Sequence, residues 1–117
     1  MKRDMDLIRI ILQRVELWEE AKNLEDLFVI AGYTETQIAY HVNLLFKDKV
    51  IDADSDEVFG VPYRRFFKIE LTPRGHDALD AMRDNTKWNK FKSLLAKTGK
   101  TFSVDLLFSW TKKLLIE

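Results

Sequence analysis

The 117 residues, 46% of them hydrophobic and 12% aromatic, suffice to bury one core and hardly two, so a single domain over residues 1–117 is expected. With no cysteine there is no disulfide, thiolate nucleophile or cysteine-based zinc site, and no apolar run approaches the roughly 20 residues needed to cross a bilayer. Lys plus Arg and Asp plus Glu balance at 19 each, but residues 1–60 carry 7 cations against 13 acids, net −6, and residues 61–117 carry 12 against 6, net +6. A neutral total argues against strong binding to phosphate, while the basic second half can still supply a local patch and the acidic half can face a basic partner. The opening Met-Lys-Arg-Asp lacks the continuous apolar block of a signal peptide, and a cytoplasmic protein is expected.

From Asp4 to Trp18, Met5, Ile8, Ile11, Leu12, Val15 and Trp18 recur at helical spacing, with Asp4 and Asp6 suited to the positive end of the helix dipole. Residues 19–33 are open to two readings. Leu24 to Ala31 fits either a short helix starting near Asn23 or a strand through Leu27, Phe28, Val29 and Ile30 that ends at Gly32, and the strand is preferred.

A helix over 34–49 follows, with Thr34 as its cap. Ile38, Val42 and Leu45 share one face with Phe46 at its border, whereas Thr36, Tyr40, Asn43 and Lys47 project oppositely. The first face docks on a core. The second, at i, i+4, i+7 and i+11, consists of hydrogen-bonding side chains without a carboxylate and suits a helix lying in the major groove of DNA; an ordinary solvated face is the alternative.

Val50–Ala53 and Arg65–Leu71 read as the strands of a hairpin, with residues 54–62 as its loop: the shape of a wing. Strict alternation turns Phe67, Ile69 and Leu71 inward and Arg64, Phe66, Lys68 and Glu70 outward. Asp52, Asp54, Asp56 and Glu57 on the other arm would repel phosphate. Thr72-Pro73 is a cap and first-turn pair opening a helix through Arg83 or beyond, and a second cap signal at 84–86 predicts a kink or a break into two helices near Asn85. Trp88, Phe91 and Leu95 continue the buried stripe, Gly99 closes it, and Ser103 caps a last helix buried through Val104, Leu107, Trp110 and Leu114. Phe102, Leu106, Phe108 and Trp110 make that helix more apolar than one docking face requires, which suits a homodimer.

His76, Asp80 and Asp84 lie one turn apart, but a single helix face lacks the further ligand of the known metal motifs, so no metal is assigned and His76 is expected to make a buried or half-buried hydrogen bond. His41, at the edge of the buried face, reads as a satisfied core histidine. No nucleophile elbow, phosphate loop or dinucleotide fingerprint occurs, and neither catalysis nor a cofactor is expected. Lys87, Lys90, Lys92, Lys97 and Lys100 read as a solvated face.

The segments MKRDMDLIRIIL, GYTETQIAYHVNLL and LTPRGHDALDAMRDNTKWNKFK together resemble the short bacterial and phage proteins of domain of unknown function 2513, over essentially the whole chain. The resemblance implies a winged-helix fold and a phage or prophage setting, and carries no catalytic residue. The chain departs from the family pattern at Lys49, where a glycine is common after the central helix, and at Pro73, where an aromatic usually follows Leu-Thr.

The expected fold is α+β and mainly helical: a winged-helix-like core over 1–72 with a hairpin wing, and a C-terminal helical extension over 73–117. The expected function is binding of double-stranded DNA by a regulator of a mobile element. Thr36, Tyr40, Asn43 and Lys47 would meet bases or phosphates, and Arg64, Arg65, Lys68 and Arg74 would hold the backbone. The alternative is an accessory module that occupies a host protein, since the fold alone serves both uses.

Overall fold

The computed structural model describes residues 1–57 and 59–116. Among the described residues, five α-helices and one antiparallel hairpin follow one another as α1 (Met5–Leu17), α2 (Glu35–Lys47), β1 (Ile51–Asp56), β2 (Arg65–Leu71), α3 (Pro73–Met82), α4 (Asn85–Thr98) and α5 (Val104–Ile116). Each helix starts where a side-chain oxygen answers a free amide: Asp4 for Leu7, Thr34 for Gln37, Thr72 for Gly75, Asp84 for Lys87 and Ser103 for Leu106. Leu7, Ile8, Ile11 and Leu12 of α1 lie in one continuous buried cluster with Ile38, Val42 and Leu45 of α2, Phe66 and Ile69 of β2, and the inner faces of α3, α4 and α5. α1, α2 and the hairpin form the winged-helix arrangement, and α3 to α5 extend it.

Between α1 and α2 the chain forms a short 3₁₀ helix, Leu24–Leu27, in place of the preferred strand. Leu24, Leu27 and Ile30 are buried while Val29 is 71% exposed, so the core takes every third residue, the period of a 3₁₀ turn and not of a strand. What remains of a strand lies two residues before the 3₁₀ helix: the carbonyl of Lys22 accepts the Ile69 amide at 2.7 Å, placing a single bridge beside β2.

That bridge sits at a β-bulge. Asp52 pairs with Glu70 and Asp54 with Phe67, so Ala53 alone faces both Lys68 and Ile69. Lys68 takes up the extra residue with φ of 53°, and its amide donates to Asn23 Oδ1. The bulge shifts the alternation by one. Phe66 and Ile69 are therefore the buried pair, Phe67 is only half-buried, and the inward row Phe67, Ile69, Leu71 expected from strict alternation is corrected.

At the end of α2, the amide of Lys49 donates to Phe46 and that of Val50 to Leu45, the paired bonds of a Schellman cap. Such a cap needs a left-handed residue, and Lys49 has φ of 61°. Glycine, the residue that the family resemblance implies here, would take this conformation without the cost of a β-carbon. Lys49→Gly should stabilise the fold by about 1 kcal/mol, the left-handed penalty of a β-carbon less part of glycine's entropy cost. A urea melt with an unchanged or lowered midpoint would contradict the strain.

Breaks and caps further along fall where the sequence puts them: α3 and α4 part at Asp84, and Gly99, at φ of 69°, ends α4. Two details differ. His76 is exposed instead of half-buried, because the α3 face turned to the core is Gly75, Ala78, Leu79 and Met82. Leu114 is 37% exposed, since the core contacts of α5 are made by Val104 and Leu107, with Trp110 half-buried.

Candidate nucleic-acid interface

α2 is held at its start by a reciprocal box in which Thr34 Oγ1 accepts the Gln37 amide and Gln37 Oε1 accepts the Thr34 amide. His41, 2% exposed, fixes it against α1: Nε2 accepts the Asp4 amide at 2.8 Å and Nδ1 donates to the Gln37 carbonyl at 2.7 Å. Both ring nitrogens are thus satisfied in the neutral Nδ1–H form, which leaves the ring a structural role.

On the opposite face, Thr36 and Lys47 are exposed and Tyr40 and Asn43 half-buried. The Asn43 Oδ1 atom is sealed from solvent without a partner. A bidentate contact to adenine needs that oxygen and the amide nitrogen side by side on the base edge, so the amide would have to turn outward. Tyr40 rests edge-on against the His41 ring at 5.4 Å, which limits its freedom to reorient.

The wing cations are engaged. Arg64 pairs with Glu57 at 3.0 Å and donates to Ser55; Arg65 grips both oxygens of Asp56 at 3.0 and 3.2 Å; Lys68 lies 4.0 Å from Asp54. The hydrogen bonds that Arg65 donates to Asp56, together with the Asp56 charge, raise the Arg65 pKa. Arg74 serves as a clamp: it donates to the Asp48 carbonyl and carboxylate, pairs with Asp105 at 3.1 Å and stands over the Phe108 ring, tying the end of α2 to α3 and α5. Burial works against its charge, but the Asp48 and Asp105 carboxylates outweigh it and the pKa rises. A phosphate at any of these four side chains would have to displace a carboxylate of the chain itself.

Cations that sequence spacing did not connect come together elsewhere. Arg3, ahead of α1, and Lys47, late in α2, line one groove of about 330 Å³ with Leu44 and Phe102, and exposed Lys49 follows Lys47 by two residues. No periodicity links residues 3 and 47; the Asp4 amide bonded to His41 brings them near. At the other end of α2, exposed Glu35 lies beside Tyr63, whose phenol is pushed up by burial and by the Glu35 and Glu25 carboxylates. Basic character therefore lies at the C-terminal end of α2 and acidic character at its N-terminal end and on the wing. Of the His76, Asp80 and Asp84 row, Asp80 pairs with Arg83 and Asp84 accepts the Lys87 amide.

The profile of the family described as "Hypothetical protein (DUF2513)" matches residues 2–101. The chain belongs to the DUF2513 family. An uncharacterized protein of Haemophilus influenzae is 32% identical over 114 residues, spanning 92% of this chain and 89% of its relative. Among solved structures, a PadR family transcription regulator from hypervirulent Clostridium difficile superposes with a TM-score of 0.51 at 13% identity, covering 80% of this chain and 98% of that one. A transcriptional regulator from Thermotoga maritima gives 0.48 at 17% identity over 92% and 71%. At 13% identity the likeness to the Clostridium difficile structure concerns the fold alone. No helix among the described residues is long and apolar enough to cross a membrane.

Proposed function

We propose that this DUF2513 chain is a DNA-binding regulator that lays the outward face of α2 in the major groove; its placement in a phage or other mobile element rests on the family resemblance. The observation that carries the reading is that face itself. Thr36, Tyr40, Asn43 and Lys47 stand on the side of α2 opposite its buried stripe, with no carboxylate among them. Lys47, Lys49 and Arg3 supply phosphate contacts. Arg64, Arg65 and Lys68 contribute only by exchanging Glu57, Asp56 and Asp54 for phosphate, and Arg74 keeps its structural role.

Lys47, Lys49 and Arg3, whose guanidinium donates to the Phe102 carbonyl, have no carboxylate partner among the described residues; three such cations release about three counterions, so log K against log salt concentration should slope at roughly −3, and Lys47→Ala should flatten it by about one. The pair Arg64→Ala and Lys68→Ala should leave it nearly unchanged. The measurement is a salt titration of anisotropy on a pool of duplexes that includes the chain's own upstream region. A slope near −6 would mean that the wing pairs open onto phosphate. Absence of binding at low salt, where attraction is least screened, would overturn DNA binding.

One observation favours the second reading, a protein partner. Asp52, Asp54, Asp56 and Glu57 are all exposed on one arm of the wing; Arg64, Arg65 and Lys68 offset three of them, and the remaining negative charge, which includes Asp52, suits a basic protein surface better than a phosphate backbone.

A further inference from the structure

α4 carries Lys87, Lys90, Lys92 and Lys97 and no acid, and the sequence has no carboxylate between Asp84 and Asp105. Lys92 is paired with Asp6 at 2.7 Å, which leaves Lys90 and Lys97 on the rim of a groove of about 630 Å³ between α4 and α5. The floor of that groove is apolar: Leu94 is 41% and Leu114 37% exposed, and half-buried Trp110 lies against Phe91 at 5.3 Å. Phosphate would satisfy the lysines but not this floor. The occupant that fits is an apolar side chain flanked by acids.

The chain carries such a feature at the end of α1. Leu17 is 76% exposed and is followed within three residues by exposed Glu19 and Glu20. It cannot reach the groove of its own molecule. α4 runs antiparallel to α1, with Asn85 bonded to Arg9 and both Trp88 and Lys92 bonded to Asp6. From that crossing Leu17 lies eight residues toward one end and Leu94 nine toward the other, on the order of 25 Å apart at helical rise.

We infer that the chain associates head to tail with further copies, the acidic corner at Leu17, Glu19 and Glu20 of one copy entering the lysine-rimmed α4–α5 groove of the next. A two-fold pairing of α4–α5 faces, the simplest form of the homodimer expected from the apolar last helix, would set Lys90 and Lys97 against themselves. The −6 and +6 halves of the sequence are instead complementary between copies. A heterologous contact of this kind leaves one free surface at each end, so growth continues past two copies. The inference is independent of DNA binding.

The test is sedimentation equilibrium of the whole chain from about 1 to about 300 µM at about 0.02 M and about 0.5 M salt. The expected result is a weight-average mass that rises past the dimer with concentration and falls with salt. Lys90→Glu with Lys97→Glu, and separately Glu19→Lys with Glu20→Lys, should each weaken association at least about tenfold, and mixing the two variants should restore it, because each corner then meets a groove of opposite charge. Leu17→Ser should give a similar loss while circular dichroism and melting stay unchanged. A monomer throughout, a mass that stops at two, or association indifferent to both charge reversals would each overturn the inference.

Discussion

Gly75→Ala should destabilise the fold by about 3 kcal/mol or more and lower the melting temperature by more than about 10 °C, beyond the usual range for one added methyl. A β-carbon at Gly75 would lie 2.0 Å from the Val50 carbonyl oxygen and 3.1 Å from its carbon. The obstacle is backbone and is held from several sides: the Val50 carbonyl accepts both the Thr72 amide and the Thr72 hydroxyl, and the Val50 amide closes the α2 cap on Leu45. Neither α3 nor the start of β1 can withdraw without breaking these bonds. Gly75 is thus required for close packing, beside His76, which faces solvent. Thermal and urea melts of the variant decide the matter; a midpoint within about 2 °C of wild type would show that the contact yields.

The helices were legible because each carries two independent signals, a capping side chain and a stripe of one period, as in Thr34 with Ile38, Val42 and Leu45, or Thr72-Pro73 with Ala78, Leu79 and Met82. The hairpin was legible as two apolar runs, but its register was not. The bulge at Lys68 is set by Lys22 and Asn23, more than forty residues earlier, and nothing in residues 65–71 alone announces it. The same distance effect misplaced the 24–31 segment, whose apolar run has strand composition while the core it meets accepts only every third side chain.

At the candidate interface the residues were readable and their state was not. With the first strand ended at Ala53, Asp54 to Glu57 read as loop acids near the basic strand. The strand in fact continues to Asp56, and its register sets Asp56 opposite Arg65, which turns a row of apparently free cations into cross-strand ion pairs. Exposed pairs of this kind add little to stability. They hold Arg64, Arg65 and Lys68 against acids of the chain itself, whereas Lys47, Lys49 and Arg3 have no carboxylate partner among the described residues.

Trp88→Ala should cost roughly 3 to 5 kcal/mol, the usual consequence of emptying a large aromatic site. Trp88 is 1% exposed and lies in the one buried cluster that α1 and α5 also enter. Its ring packs near Phe91 at 6.1 Å and edge-on to Phe102 at 6.3 Å, and the Arg9 guanidinium stands 5.9 Å from its centroid. Its Nε1–H donates to Asp6 Oδ1 at 3.2 Å, the same oxygen that accepts from Lys92. The Lys92 hydrogen bond, aided by Trp88, outweighs burial and holds the Asp6 carboxyl below its ordinary range. Two losses are therefore superposed, the ring volume and one hydrogen bond, and Trp88→Phe separates them. The phenyl ring keeps most of the packing and removes the N–H, so its cost should be nearer 1 kcal/mol, because Lys92 still satisfies Asp6. Urea melts of both variants measure the two terms. Equal and small effects would mean that α4 can leave the core without unfolding the rest, and equal and large effects would assign the stabilisation to the Asp6 bond instead of the ring.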